Sequence, residues 1–229
     1  MRTLIKVLIG VVVLAGLLVG ADRIALSTAQ SKAADQLANR QGISGRPSVT
    51  IDGFPFLTQA LDKKFDSVRL SANSVQLSGG GQTVQLDSFA AKLRGVRVSG
   101  DYKSATVDSG TGSGRLPYAN VESLLGLDSR TTLGYGGPGL LKVSVQVLGQ
   151  KVGTTVKLRT DGNRVLVDSV GDVPGVGLLP GVSSMVSTAI GSKSFTLQDM
   201  PVGLTLSQVT PEPDGLVLAF QGSSLQLAG

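Results

Sequence analysis

The stretch VRLSANSVQLSGGGQTVQLDSFAAKLRGVRV, residues 68–98, alternates apolar side chains with polar or small ones on both sides of a glycine cluster. Val84 and Leu86, for example, are separated by Gln85. Alternation with a period of two indicates β-strands that have one dry face and one wet face. The cluster SGGGQ at residues 78–82 has the composition of a turn. The stretch therefore predicts two strands joined by a turn, and it gives the fold its β character.

The same alternation recurs in the second half of the chain, where it predicts hairpins. Asp161-Gly162 and Asp214-Gly215 each separate two alternating runs, and Asp-Gly is a strong hairpin signal. Residues 133–139, LGYGGPG, match the glycine spacing of a dinucleotide-binding loop, but Pro138 lies inside the loop and a strand pattern follows it. We therefore expect an ordinary glycine loop at this position.

Three segments show helical periodicity instead. Residues 22–41 are rich in helix formers and carry an apolar stripe made of Leu26, Ala29, Ala33 and Leu37. This face is narrow and contains alanine, which predicts a helix that packs closely against a sheet. A shorter helix is predicted within residues 116–127. A third helix is predicted between Pro180 and Gly191, with the stripe Val182, Met185, Val186, Ala189 and Ile190. The loop that leads into it is also apolar, with Val173, Val176, Leu178 and Leu179.

The N-terminus has the pattern of an export signal. Arg2 and Lys6 precede an apolar run over residues 7–19, and the small residues up to Ala21 suit cleavage after that position. Extended by the preceding apolar residues, the run approaches the roughly 20 residues that a membrane span needs, so an uncleaved anchor is the alternative. We therefore divide the chain into a signal peptide or anchor, residues 1–21, and a single domain, residues 22–229. Both alternatives place this domain in the cell envelope, on the outer side of the plasma membrane.

Composition excludes several classes of function. The sequence contains no cysteine and no histidine, which removes disulfides, thiolate metal sites and Ser–His catalysis. The net charge of +5 falls to +3 without residues 1–21, which is not the profile of a nucleic-acid-binding protein. The closest carboxylate pairs, Asp62 with Asp66 and Asp168 with Asp172, lie in polar contexts and are expected to be solvated. We therefore predict no catalytic residue, no cofactor and no metal, and we do not expect an enzyme.

An aromatic segment interrupts the strand pattern. The sequence VTIDGFPFLTQALDKKF, residues 49–65, holds three of the six phenylalanines of the chain. If the segment is extended, Phe54 and Phe56 share one face at the rim of a groove, because side chains alternate along an extended chain. These rings beside Lys63 and Lys64 would then contact acyl chains and an anionic headgroup. Alternatively, the phenylalanines pack in the core and the lysines are solvated. The residues alone leave both interpretations open.

Export, mild basicity, alternating strands and clustered apolar loops together favour a curved sheet that shares its dry face with an apolar ligand, and a lipid is the natural candidate. The predicted contacts come from the aromatic segment and from the apolar loop and helix near residue 180. They are Phe54, Pro55, Phe56, Leu57, Lys63, Lys64, Leu178, Leu179, Val182, Met185 and Val186.

Particular segments carry a family resemblance. They are IDGFPFLTQAL at residues 51–61, FDSVRLSANSVQL at 65–77 and MPVGLTLSQVTPEPDGLVLAFQG at 200–222. On these segments the chain resembles the LmeA-type family of exported phospholipid-binding proteins of actinobacteria. The positions that match its motif, none with a catalytic role, are Gly53, Phe54, Pro55, Phe56, Leu57, Thr58 and Gln59. Residues 173–191 depart from the family pattern, which leaves the ligand entrance unassigned.

The resemblance implies an α+β fold in which a strongly curved antiparallel sheet wraps a long N-terminal helix, with an apolar groove, as in tubular lipid-binding proteins. It also implies non-enzymatic binding or transfer of anionic phospholipid such as phosphatidylinositol, at a membrane surface, in support of mannan elongation on lipomannan. The main alternative is a peripheral envelope module that positions or stabilises a glycosyltransferase such as a mannosyltransferase. A lipid-modifying hydrolase is a third hypothesis, for which the sequence offers no nucleophile. Retention of stoichiometric lipid would distinguish a groove from a docking surface.

Overall fold

The computed structural model describes residues 2–39, 43–79, 82–100, 104–147, 149–170, 193–198, 200 and 203–228. Within these residues the chain forms a long N-terminal helix, a strongly curled antiparallel sheet shaped like a half-barrel, and a second antiparallel sheet. The helix contacts the curled sheet. This arrangement confirms the predicted α+β fold with a curved sheet around a long helix.

The helices are α1 Arg2–Ala38, α2 Phe56–Asp62 and α3 Tyr118–Leu124. The strands are β1 Ile43–Ser44, β2 Ser48–Asp52, β3 Lys64–Gly79, β4 Gln82–Val98, β5 Ser104–Leu116, β6 Thr131–Tyr135, β7 Leu141–Val147, β8 Gln150–Asp161, β9 Arg164–Val170, β10 Ser194–Gln198, β11 Thr205–Glu212 and β12 Gly215–Ala228. The curled sheet has the order β11-β12-β5-β4-β3, with β1 and β2 also paired to β3. The second sheet has the order β9-β8-β7-β6.

The predicted turns connect strands as expected. Gly79 of β3 pairs with Gln82 of β4 on either side of the predicted SGGGQ turn, whose central residues 80 and 81 lie outside the described residues. Both Asp-Gly pairs lie at hairpin turns. The sequence LGYGGPG joins β6 to β7 in an antiparallel pair, which confirms an ordinary loop because a dinucleotide-binding loop would open a helix. The short helix predicted within residues 116–127 is α3. The helix predicted between Pro180 and Gly191 lies outside the described residues.

The alternation of buried and exposed residues in β4 shifts by one residue at two places, and these shifts accompany the curl of the sheet. Leu86 and Phe89 are three residues apart and both are buried, and so are Leu93 and Val96. A residue with a positive φ lies inside each interval, Ser88 at 53° and Gly95 at 62°. Between Asp87 and Ala90 the pairing with β5 also shifts, which marks a β-bulge. A bulge bends the strand and increases its twist, so β4 can keep its apolar side chains on the inner face of a curled sheet.

Glycines of β5 allow the interior to pack closely. A Cβ atom at Gly114 would lie 2.6 Å from Cδ2 of Leu86, and one at Gly110 would lie 2.9 Å from Cδ2 of Leu204. Real Cβ atoms do not approach other carbons so closely. The two leucines therefore occupy the space that side chains on β5 would otherwise take.

Strand β10 and the β8–β9 turn join the two sheets. β10 pairs with β3 through Leu197 and Gln198, and it pairs with β9 through residues 194–196. At the β8–β9 turn, the Asn163 side-chain oxygen accepts a hydrogen bond from the Leu206 amide of β11 at 2.9 Å. The Asn163 carbonyl accepts another from the Leu197 amide at 2.9 Å. The two sheets therefore enclose one common core.

The core lies between the sheets, and α3 packs against it with Val121 and Leu124. The dry faces predicted from the alternation of residues 68–98 form part of it. Its fully buried side chains include Leu77, Leu86, Leu116, Val143, Leu216, Leu218 and Phe220.

Helix α1 has two parts with different surroundings. Its large apolar side chains between Ile9 and Val19 are 45–67% exposed. Further along, Ala34 is buried, and the predicted stripe is partly buried at all four positions, Leu26, Ala29, Ala33 and Leu37. Among the described helices, α1 is the one whose segment Ile9–Ala38 contains an 18-residue stretch, of mean hydropathy 2.1, that is long and apolar enough to cross a membrane. A signal sequence near an N-terminus has the same property.

Candidate functional site

An apolar groove lies between the last turns of α1 and the inner face of the curled sheet. Its volume is about 510 Å³, and sites for small molecules typically measure about 300–1,000 Å³. None of the described side chains that line it is charged. The lining includes Ala33 and Leu37 of α1, Val49 of β2, Val68 and Leu70 of β3, and Leu93 of β4. The groove therefore suits the acyl chain of a lipid better than a polar molecule.

The strand register aligns the apolar floor of this groove. Val49 of β2 is paired with Leu70 of β3, and Val68 of β3 is paired with Leu93 of β4. Paired residues of antiparallel strands project to the same face of the sheet, so these four side chains form a continuous apolar surface. The β5 and β12 side of the groove is lined by Ala105 and Leu227. The small side chain of Ala33 leaves the space open on the helix side.

The aromatic segment forms a different feature, which we call the elbow, residues 53–63. The prediction of an extended segment is wrong from Phe56 onward, because α2 begins there. Phe54 and Phe56 consequently do not share a face: Phe54 is 63% exposed, whereas Phe56 is 5% exposed. The Phe56 ring stacks on Phe65 of β3, with the centroids 6.2 Å apart. Phe56 is thus packed inward instead of lying at a rim.

Two polar side chains fasten the elbow to its neighbours. Asp22 of α1 is buried, and its carboxylate accepts a hydrogen bond from the Leu57 amide in the first turn of α2 at 2.8 Å. This contact satisfies one of the amides that a helix N-terminus leaves without an intrahelical partner. The Gln59 side-chain oxygen accepts a hydrogen bond from the Asp66 amide at 3.0 Å. Asp22 therefore connects α2 to α1, and Gln59 connects it to β3.

Gly53 is required by the packing of the same glutamine. The backbone φ of Gly53 is +109°, a value that residues with a side chain rarely adopt. A Cβ at this position would also lie 3.0 Å from Cδ of Gln59 and 3.1 Å from Oδ2 of Asp66. The first and last members of the GFPFLTQ motif thus contact each other, which gives the motif a structural reason.

The remaining predicted lipid contacts lie apart from the groove or outside the described residues. Pro55 is exposed and Leu57 is 38% exposed. Lys63 ends α2, and its Nζ donates a hydrogen bond to the Gly100 carbonyl at 2.9 Å. Lys64 is exposed at the start of β3. Outside the described residues are Leu178, Leu179, Val182, Met185 and Val186. None of the six predicted residues that the structure describes lines the groove, and the contact of all eleven with lipid stays a prediction.

An ion pair fixes the strand that leads into the elbow. Asp52 of β2 accepts two hydrogen bonds from Arg69 of β3, from Nε at 3.0 Å and from Nη2 at 2.6 Å. The bidentate hydrogen bonding by Arg69 lowers the pKa of the Asp52 carboxyl below its usual value. The pair faces solvent at the edge of the sheet, so it orients the elbow and stabilises it weakly.

The described residues offer no obvious reactive centre. They contain no group of three or more acidic, histidine or cysteine residues that could hold a metal ion. Asp62, Asp66 and Asp168 are exposed, as expected for solvated carboxylates. Asp172, the partner proposed for Asp168, lies outside the described residues.

The groove was not located by the sequence interpretation, although its signals were present. The stripe that contains Ala33 and Leu37 and the dry faces that contain Val68, Leu70 and Leu93 were each recognised as apolar. The narrow alanine-rich stripe was a signal for close approach to a sheet. What was missing was the position at which the helix leaves part of the sheet uncovered.

Comparison with known families agrees with this geometry. The sequence model of the LmeA-like phospholipid-binding family matches residues 20–221, which include the groove-lining part of α1, the elbow and most of the curled sheet. No curated protein and no solved structure matches the chain. The chain belongs to the LmeA-like phospholipid-binding family.

Proposed function

We propose that this protein binds phospholipid without chemical turnover and holds an acyl chain in the groove between α1 and the curled sheet. The observation that carries the proposal is the uncharged lining of a groove of about 510 Å³, in a chain that belongs to a phospholipid-binding family. Burial of an acyl chain there would remove apolar surface of both partners from water, which is the main driving force for such binding.

The groove can be tested by filling it. Ala33→Phe places a ring where the helix borders the groove, and Ser31→Phe adds the same ring at an exposed position of the same helix. Protein purified from its native envelope is examined by native mass spectrometry for bound lipid. We expect Ala33→Phe to reduce bound lipid at least several-fold and Ser31→Phe to retain it. Unchanged lipid in a folded Ala33→Phe variant would place the ligand elsewhere.

A second variant tests whether both positions border the same groove, and a melting experiment controls for misfolding. Leu37→Trp enlarges a side chain one helical turn further along the same face. Thermal unfolding followed by circular dichroism shows whether each variant is folded. We expect both groove variants to melt cooperatively and both to lose lipid. Loss of lipid in one folded variant alone would argue against a shared groove.

The finer parts of the proposal concern the headgroup, the compartment and the biological role. We propose an anionic headgroup, phosphatidylinositol among the candidates, because the chain carries a net positive charge. We propose an envelope location because of the charged-then-apolar N-terminus. Support of lipomannan elongation is proposed from the family resemblance. Shorter mannan chains in a deletion strain, restored by the parent protein and not by Ala33→Phe, would link that role to the groove.

A further inference from the structure

Exposed apolar side chains are concentrated on the elbow. Among the described residues outside α1, the exposed large apolar side chains are Phe54, Leu57, Leu61 and Tyr135. Three of these four belong to the elbow, and Leu61 is 83% exposed. Leu57 and Leu61 are one helical turn apart and therefore share the outer side of α2. A cluster of this kind marks a contact surface more often than isolated exposed residues do.

The elbow is held in place by its inner side, so the exposure of its outer side is not that of a loose loop. Phe56 is packed against Phe65, and Gln59 is hydrogen-bonded to the amide of Asp66. The Asp22 carboxylate accepts a hydrogen bond from the Leu57 amide at 2.8 Å. These contacts fix α2 with Leu57 and Leu61 pointing away from the domain. The fold thus maintains an apolar surface that the described part of the chain does not cover.

The position of α1 identifies what covers this surface. The exposed apolar segment Ile9–Val19 ends three residues before Asp22, which is about 4–5 Å along a helix axis. Asp22 holds the start of α2, and the neighbouring Arg23 guanidinium lies 5.1 Å from the centre of the Phe54 ring. The elbow is therefore next to the end of the segment that has membrane-like composition. Aromatic and cationic side chains favour this boundary between hydrocarbon and water.

We propose that Phe54, Leu57 and Leu61 form a membrane-docking surface that enters the interfacial layer of the bilayer in which the apolar part of α1 resides. Charges on the elbow are nearly balanced, since Lys63 and Asp62 lie on it and Lys64 and Asp66 lie beside it. Apolar contact, more than headgroup charge, therefore drives the docking. Ala33, which lines the groove, lies about 17 Å further along the axis of α1 than Asp22. When the elbow is docked, α1 therefore extends from the membrane surface to the groove.

The absence of cysteine from the sequence permits a direct test. Leu61→Cys in the full chain is labelled with an environment-sensitive fluorophore and reconstituted into vesicles of phosphatidylcholine and phosphatidylglycerol. Tyr135→Cys is the matched control, because Tyr135 is also an exposed apolar residue but lies on β6. We expect the label at position 61 to be protected from aqueous iodide at least threefold more than the label at 135. We also expect it to be quenched by lipids that carry a quencher on the acyl chain.

Two results would overturn the proposal. Equal access of iodide to both labels would show that the elbow stays in water. Protection that rises with protein concentration, without quenching from the acyl chains, would show that a second copy covers the surface. The outcome is independent of the groove: Ala33→Phe should leave protection at position 61 unchanged even where it removes bound lipid. Failure of docking and failure of groove binding are thus separate results.

Discussion

The two sides of the elbow differ so much in burial that one pair of substitutions tests the packing directly. Phe56 is 5% exposed and stacked on Phe65, whereas Leu61 on the same short helix is 83% exposed. Truncation of a buried phenylalanine to alanine typically costs about 3–5 kcal/mol. For a domain of this size each kcal/mol lowers Tm by about 2–4 °C, so Phe56→Ala should lower Tm by about 6–20 °C.

The assay is thermal unfolding of the full chain in detergent, without added phospholipid, followed by circular dichroism. Leu61→Ala is the control, and it should change stability by no more than about 0.5 kcal/mol because a surface side chain loses few contacts. Melting of Phe56→Ala within about 2 °C of the parent protein would show that the Phe56 ring contributes little to the packing. Equal destabilisation by Leu61→Ala would show that α2 is packed by its other side.

Other predictions address the backbone, an ion pair and the compartment. Gly53→Ala should destabilise the protein by about 1–3 kcal/mol through the φ of this residue alone. If contact with Gln59 adds to that loss, the double variant Gly53→Ala/Gln59→Ala should recover part of the added loss in urea unfolding. No recovery would show that the Gln59 side chain does not contribute to the loss. Because Arg69 lowers the folded-state pKa of Asp52 below 3.8, the pair stabilises the fold above that pH and ceases to do so as the pH falls through the folded-state value. Asp52→Asn should therefore reduce stability in urea unfolding near neutral pH, and this loss should shrink as the pH falls below 3.8. A loss that does not change with pH would exclude an ionic origin. A reporter that is active only in the cytoplasm, fused after Gly229, should be silent, and activity would contradict export.

Much of the architecture could be predicted because it depends on local periodicity. The alternation around Val84 and Leu86 identified both the strands and their buried face, since successive side chains of a strand point to opposite sides. The Asp-Gly pairs located hairpin turns because their backbone preferences act within four residues. The alanine-rich stripe near Ala33 predicted a helix that packs on a sheet, as the structure confirms for α1.

The elbow shows why local pattern alone fails. A helix of seven residues is marginal by itself, because the cost of its first turn is recovered only over a longer run. α2 is stabilised by the hydrogen bond from the Leu57 amide to Asp22, two residues that are 35 positions apart in sequence. It is also stabilised by the stacking of Phe56 on Phe65. Neither contact leaves a periodic trace between residues 49 and 65. An extended interpretation of Phe54 and Phe56 was therefore reasonable locally and wrong in the folded chain.

Residue patterns alone identify the charged-then-apolar N-terminus, the dry faces of the strands, the hairpin turns and the family resemblance. Which apolar surfaces stay uncovered depends on the tertiary packing. Val68 and Val84 have similar alternating surroundings, yet Val68 lines the groove and Val84 is buried in the core. The physical reason is that hydrophobicity is a property of each residue, whereas its burial depends on which distant segments pack over it. A groove exists where that packing is incomplete, and a docking surface exists where it is absent.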